Sequence, residues 1–198
     1  MAFKVGITGG IGSGKSMICQ LLEEKGFPIF YSDDESKKLV QTHPEIKKEL
    51  IALLGQNVYV NNQLNKTFLA AQLFNDDHIR EKVNQIIHPV VRKTFAAWAE
   101  NQTSPIVFNE AAILIETGTY KTLDFTVLVV APKEVKIQRV MERDGVSEAE
   151  VEARMNKQWS DEQKIPLADF IIHNDGSALN HQLENLLEKI NSLALQTK

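Results

Sequence analysis

The sequence predicts an α/β protein in which a five-stranded parallel sheet carries helices on both faces, a three-layer arrangement. Three observations predict it. Short apolar runs alternate with stretches of helical periodicity, which is typical of parallel sheets covered on both sides. A glycine-rich segment joins the first apolar run to the first helical stretch. A long helical stretch then separates the second run from the third and is expected to form a lobe of its own.

Five apolar runs are expected to form the strands. They are Phe3–Thr8, Phe27–Tyr31, Ile106–Phe108, Phe125–Val130 and Asp169–His173. Each is short and mostly apolar, as strands buried on both faces are. The sequence predicts helices at Lys15–Lys25 (ended by Gly26), at Lys133–Asp144, from the capping sequence Ser147–Glu150 to about Trp159, and at Leu179–Leu195.

Residues 34–101 show mostly helical periodicity. Apolar residues three and four apart predict helices at Glu45–Leu54, Thr67–Phe74 and Pro89–Trp98. This stretch is too long for one crossover between strands, so we expect a lobe above the carboxyl edge of the sheet, where open α/β sheets bind ligands. The rest of the core would then comprise residues 1–33 and 102–198.

Composition excludes several classes of protein. The chain is 43% hydrophobic and 24% charged, as ordinary globular proteins are, and its net charge of −4 predicts no nucleic-acid partner. No run approaches the roughly 18 apolar residues of a membrane span, and the opening residues do not resemble a signal peptide. The single Cys19 lies in an apolar helical pattern. We therefore expect a cytoplasmic protein without membrane association or disulfide chemistry.

A phosphate-binding loop follows the first strand. Its residues Gly9, Gly10, Ile11, Gly12, Ser13, Gly14, Lys15 and Ser16 match G-x-x-x-x-G-K-[ST] at every fixed position. In such loops backbone N–H groups surround phosphate, the lysine reaches the β- and γ-phosphates, and the hydroxyl binds Mg²⁺. The alternative is a glycine-rich turn without a ligand, but the flanking strand and helix favour nucleotide binding. A dinucleotide-binding fingerprint is excluded because Lys15 stands where its third glycine would be.

Other motifs favour a small-molecule kinase among proteins with this loop. A GTPase would carry N-K-x-D, but the pairs at Asn65 and Asn156 lack the aspartate. An ATPase motor would carry an apolar strand ending in aspartate, and Ile106–Glu110 matches that pattern poorly.

A carboxylate and three arginines could supply a kinase with its base and lid. Asp33 follows the second strand, where a carboxylate could accept the proton of an attacking hydroxyl. It could equally cap the next helix. Arg139 and Arg143 share a helical face and Arg154 lies on the following helix, so they could close over phosphates. The alternative is a solvated charged face.

Taken together, these residues resemble the dephospho-CoA kinase family over essentially the whole chain. The matching blocks are Thr8–Ser16, Tyr31–Asp33, Ile87–Arg92, Ala112–Glu116, Gln138–Asp144, Arg154 with Gln158, and Ala168–Gly176. Three residues depart from the family pattern: Tyr31 replaces an acid, Ala112 a proline and Met17 a threonine.

The resemblance implies transfer of the γ-phosphate of ATP to the ribose 3′-hydroxyl of dephospho-CoA, the last step of CoA biosynthesis, with Mg²⁺ as cofactor. Lys15, Asp33 and Arg139 would be catalytic. ATP would contact residues 9–17, Arg139, Arg143, Asn174 and Gly176, and Mg²⁺ would bind Ser16. The substrate would contact Thr8, Asp33, His88, Arg92, Leu114, Glu116 and Arg154, although His88 could instead hold a His-Pro turn.

The same family implies a P-loop kinase fold with a helical substrate lobe at about 34–101 and a lid at about 139–165. A nucleoside or nucleotide kinase would share the loop, base and lid, so it remains the second interpretation. A third interpretation, an inactive nucleotide-binding regulatory protein, is disfavoured by the intact Lys15, Ser16 and Asp33.

Overall fold

The computed structural model describes residues 2–176 and 179–196 of the 198-residue chain. The strands are β1 Phe3–Thr8, β2 Ile29–Tyr31, β3 Tyr59–Val60, β4 Gln63–Leu64, β5 Ile106–Glu110, β6 Phe125–Val130 and β7 Phe170–His173. The helices are α1 Lys15–Glu24, α2 Ser32–Thr42, α3 Pro44–Leu54, α4 Lys66–Asn75, α5 Asp77–Glu100, α6 Lys133–Asp144, α7 Glu148–Met155, α8 Asp161–Lys164 and α9 Leu179–Gln196. In this part of the chain no helix is both long and apolar enough to cross a membrane.

The main sheet confirms the predicted five-stranded parallel arrangement. Its strand order is β2-β5-β1-β6-β7, and every neighbouring pair is parallel. Strand β1 is central, with Val5 paired to Phe108 on one side and to Phe125 on the other. Every residue of β6 is buried, as a strand covered on both faces requires. The loop after β1 is therefore placed at the middle of the carboxyl edge.

Two helices cover the core of this sheet. From α1, Ile18, Cys19 and Leu22 pack into one apolar cluster with the strands, and from α9 so do Leu183, Leu186 and Ile190. These positions are three and four apart, so each helix buries a single stripe. Burial of Cys19 raises the pKa of its thiol, which agrees with the expected core role.

The chain divides into two compact units. One, the sheet unit, comprises residues 1–31 and 99–198; the other, the helical unit, comprises residues 32–98. The helical unit contains α2, α3, α4, most of α5 and a small antiparallel hairpin of β3 and β4. Asn61 and Asn62 turn this hairpin with positive φ angles of 51° and 63°. Asparagine tolerates such angles better than most residues, and the sequence-based prediction missed the hairpin.

Of three predicted helix boundaries, two are wrong and one is confirmed. Pro89 lies inside the continuous 24-residue helix α5, so the predicted helix start at Pro89 and the predicted His88-Pro89 turn are wrong. Helix α7 ends at Met155 instead of Trp159, and a separate short helix, α8, follows. The capping box that opens α7 is confirmed, because Ser147 and Glu150 bond to each other's backbone N–H groups.

Candidate active site

The phosphate loop connects β1 to α1, and its shape requires glycine at two positions. Gly12 and Gly14 have φ angles of 77° and 94°, which L side chains rarely adopt. A Cβ atom on Gly12 would lie 2.4 Å from the backbone oxygen of Lys136, and one on Gly14 would lie 2.0 Å from Asn174 Nδ2. The loop is therefore pressed against α6 and against the segment after β7, and only glycine fits there.

Lys15 and Ser16 begin α1 at the end of this loop. Lys15 Nζ donates a hydrogen bond to the backbone oxygen of Gly9, 2.8 Å away, so the side chain folds back across the loop. Ser16 and Met17 are exposed. A cation held over the glycine backbone next to a helix N-terminus favours binding of an anion such as phosphate.

Arg139 and Asn174 contact the backbone of the phosphate loop, although they are far from it in sequence. Asn174 is buried and its Nδ2 donates to Ser13 O at 2.9 Å. Arg139 Nη1 lies 3.5 Å from the backbone oxygens of Gly12 and Ser13, and Nη2 donates to Asn174 O at 3.2 Å. Three predicted nucleotide-binding parts (the loop, Arg139 and Asn174) are thus in direct contact. Gly176, which lies two residues after Asn174, has a φ of 96°.

The other two arginines occupy the turn between α6 and α7. Arg143 Nε and Arg154 Nη1 both bond Asp144, at 2.7 and 2.8 Å. The hydrogen bond from Arg143, helped by Arg154, lowers the pKa of Asp144. Both arginine side chains are largely exposed, at 61% and 45%. Exposed pairs of this kind contribute little to stability because solvent screens them, so a phosphate could compete with Asp144 for either arginine.

Thr8 and Leu114, which are predicted to contact the substrate, are buried, and Glu116, predicted likewise, is mostly buried. Thr8 is fully buried and its Oγ1 donates to Ala112 O at 3.3 Å. Leu114 is buried, with a methyl group close to Gly6. Glu116 Oε1 lies 2.7 Å from Nζ of the fully buried Lys164 and accepts the N–H of Trp159 at 3.3 Å.

The sequence predicted no individual role for three charged residues, of which Lys136 and Asp161 lie beside Gly10 of the loop and Lys164 pairs with Glu116. Lys136 Nζ lies 2.7 Å from Asp161 Oδ2, and both side chains are largely buried. The sequence did offer a signal for Lys136, because this residue precedes Arg139 by three positions and therefore shares its helical face. The sequence Ser160–Gln163 also carries a capping box, which marks the start of α8.

Within the helical unit, His88 interacts electrostatically with Arg92 and with Asp33. Asp33 lies in the first turn of α2 and is exposed, while His88 and Arg92 are half-buried on α5. Burial lowers the pKa of His88, Arg92 lowers it further, and Asp33 opposes both effects. A helix places residues four apart on one face, so His88 and Arg92 share a face of α5.

Tyr31, which stands where the resembled family has an acid, is held as a neutral hydroxyl. Burial raises the pKa of Tyr31, and a hydrogen bond with Glu23 raises it further. A donor therefore replaces a carboxylate at the carboxyl end of β2.

Comparison with known proteins identifies the family. The family model described as dephospho-CoA kinase (CoaE) matches residues 3–180. The chain belongs to the dephospho-CoA kinase family. It is 46% identical to a dephospho-CoA kinase of Bacteroides fragilis over 177 residues, which cover 89% of this chain and 86% of the relative.

Solved structures share the fold of the chain. The chain is similar to TT1252 from Thermus thermophilus with a TM-score of 0.82 and 33% identity, covering 96% of this chain and 97% of the other. It shares its fold with a dephospho-CoA kinase from Campylobacter jejuni, with a TM-score of 0.67 and 23% identity over the full length of both chains. The α/β fold and the kinase class predicted from the sequence are both confirmed.

Proposed function

We propose that the chain transfers the γ-phosphate of ATP to the ribose 3′-hydroxyl of dephospho-CoA, giving CoA and ADP. The observation that carries this proposal is the phosphate loop of a dephospho-CoA kinase family member, with Lys15 folded across it and Arg139 and Asn174 in contact with it. A structural loop would not need a lysine lying across its glycine backbone.

On the ATP side, the backbone of residues 9–14 would surround the phosphates, and Lys15 would exchange its bond to Gly9 O for the β- and γ-phosphates. Arg139, Asn174 and Gly176 would lie beside the nucleotide, with Met17 at the exposed start of α1. Arg143 would leave Asp144 for phosphate oxygens of the nucleotide when the lid closes, and Arg154 would leave it for the substrate. Each of these two arginine exchanges costs little because an exposed pair is lost and a charge-assisted hydrogen bond is formed.

The exposed Ser16 hydroxyl fits a Mg²⁺ ion. In the described ranges 2–176 and 179–196, no group of three or more His, Cys, Asp or Glu side chains could hold a metal. Mg²⁺ in kinase sites needs few protein ligands, because substrate phosphates and waters complete its shell. When bound, the ion would neutralise charge on the phosphate oxygens. Ser16 would hold it through its hydroxyl.

On the acceptor side, Asp33 would accept the proton of the 3′-hydroxyl. The hydroxyl oxygen then forms a bond to the γ-phosphorus, the bond from that phosphorus to the β–γ bridging oxygen breaks, and ADP leaves with the electron pair. The position of Asp33 two residues after β2 supports this role. Arg92 would bind the substrate pyrophosphate, and His88, whose pKa is lowered by burial, would contact the acceptor.

Thr8, Leu114 and Glu116 would shape the site indirectly, since Thr8 and Leu114 are buried and Glu116 contacts Lys164 and Trp159.

A panel of acceptors tests the proposed reaction. ADP release should be measured with dephospho-CoA, adenosine and AMP, and kcat/KM should favour dephospho-CoA by roughly 10²-fold or more. Equal or better turnover of AMP or adenosine would favour a nucleotide kinase instead. No ADP release with any acceptor would favour a nucleotide-binding protein without kinase activity.

A further inference from the structure

The segment from Gln158 to Lys164 contacts the phosphate loop directly. Gln158 Oε1 accepts a hydrogen bond from the backbone N–H of Ile11 at 2.9 Å. Ile11 precedes Gly12, whose positive φ bends the loop. A hydrogen bond at Ile11 therefore restricts rotation of the peptide planes next to the bend, and so the directions of the loop N–H groups that would face phosphate.

Two ion pairs with little solvent exposure hold this segment against α6 and against the turn that follows β5. Lys136 Nζ lies 2.7 Å from Asp161 Oδ2, with side chains 9% and 15% exposed. Lys164 Nζ lies 2.7 Å from Glu116 Oε1, with side chains 0% and 13% exposed. Buried pairs are costly to break, because removal of one partner leaves an uncompensated charge. The segment is thus fixed at both ends of α8.

A further hydrogen bond completes the attachment next to Gln158. The backbone N–H of Trp159 donates to Glu116 Oε1, so the residue that follows Gln158 is fastened to the loop after β5. A cavity of about 500 Å³ borders Gly10, Ile11, Lys136 and Gln158. Gln158 would therefore be free to leave Ile11 if its segment were not fastened.

We infer that Gln158 is a positioning residue for the phosphate loop, and that the Lys136–Asp161 and Glu116–Lys164 pairs hold it in place. Residues 158–164, which belong to the predicted lid, then form a fixed support for the phosphate loop and do not move when the lid closes. This inference rests on the proposed ATP binding but not on the proposed acceptor.

Direct ATP binding, without any acceptor, tests it. Gln158→Met removes the acceptor oxygen with little change in side-chain length, and Gln41→Met is the matched control. Gln41 Oε1 also accepts a backbone N–H, that of Leu64 at 3.0 Å, but in the helical unit and outside the segment 158–164. Gln158→Met should weaken ATP binding by about five- to tenfold, the usual effect of one lost hydrogen bond, whereas Gln41→Met loses a hydrogen bond of the same kind and should change ATP binding by less than about twofold.

Hydrogen exchange at the Ile11 amide provides a readout that needs no ligand. In the wild-type chain this amide should be protected, and Gln158→Met should speed its exchange by roughly tenfold. Gln158→Glu keeps an acceptor oxygen at the same reach and should retain the protection. Equal loss of ATP affinity in the two methionine variants, or unchanged Ile11 exchange in Gln158→Met, would overturn the inference. If the wild type binds ATP but does not phosphorylate dephospho-CoA, the proposed function fails and the inference stands.

Discussion

Gly12→Ala should damage both the stability and the nucleotide affinity of the chain. Gly12 has a φ of 77°, which costs an L residue about 1–2 kcal/mol. Its new Cβ would also lie 2.4 Å from the Lys136 backbone oxygen, and moving helix backbone to relieve such overpacking costs about 1–3 kcal/mol. The free energy of unfolding should therefore fall by about 2–5 kcal/mol.

Gly118→Ala is the matched control, because it separates the two costs. Gly118 has a φ of 70°, but a Cβ there would meet nothing within 4 Å. It should lose only about 1–2 kcal/mol and bind ATP normally. Thermal unfolding and ATP titration of both variants measure the difference, with each kcal/mol moving Tm by about 2–4 °C in a chain of this size. If Gly12→Ala matched Gly118→Ala in stability and kept its ATP affinity, the close contact between α6 and the loop would be refuted.

Four further variants address single residues. Lys15→Ala should abolish phosphate transfer while Tm stays within a few degrees, because its amine faces a loop carbonyl and not the core; near-normal turnover would contradict the assignment of the loop. Asp33→Asn should lower kcat by roughly 10²–10⁴-fold with little effect on ATP affinity, whereas a comparable loss of stability alone would indicate a helix cap. Glu116→Gln should destabilise the fold by about 3–5 kcal/mol, since it leaves buried Lys164 uncompensated, with KM for dephospho-CoA unchanged; a raised KM at unchanged Tm would indicate substrate contact. His88→Gln tests pH dependence: the pKa of folded His88 is lowered, so the unfolded state binds the extra proton and stability falls as pH drops below the unfolded pKa of about 6.5. Urea unfolding at pH 7 and pH 5.5 should show a smaller loss for His88→Gln than for the wild type, and an equal loss would exclude this contribution.

The parts of the fold that the sequence predicts are those with a local signal. Strands β1 and β6 are mostly apolar runs because nearly all of their residues are buried, and the loop after β1 has a fixed pattern of glycines. The hairpin Tyr59–Leu64 carries only a weak signal, the Asn61-Asn62 pair at its turn, since its strands are only two residues long. Pro89 gave a false signal. Proline usually marks the start of a helix, but α5 continues through Pro89.

Charged side chains show why the site could be predicted only in part. Lys133 and Lys136 lie one helical turn apart on α6, yet Lys133 is 58% exposed and Lys136 is 9% exposed. Nothing in the local sequence separates them, because the difference is made by Asp161, 25 residues later. Buried charges are stabilised by partners that the fold supplies, so their roles become visible only when the distant segments meet.

Glu116 matches the family pattern, yet its contacts in the structure are with protein. The resemblance implies a substrate contact for this residue, whereas its Oε1 serves both buried Lys164 and the Trp159 N–H. Because Trp159 adjoins Gln158, and Gln158 bonds Ile11, Glu116 is connected to the phosphate loop through two neighbouring residues. A carboxylate there can matter for catalysis without touching substrate, because it fixes the segment 158–164 that supports the phosphate loop. The Glu116→Gln and Gln158→Met variants should therefore both weaken ATP binding, but only Glu116→Gln should also lower Tm strongly.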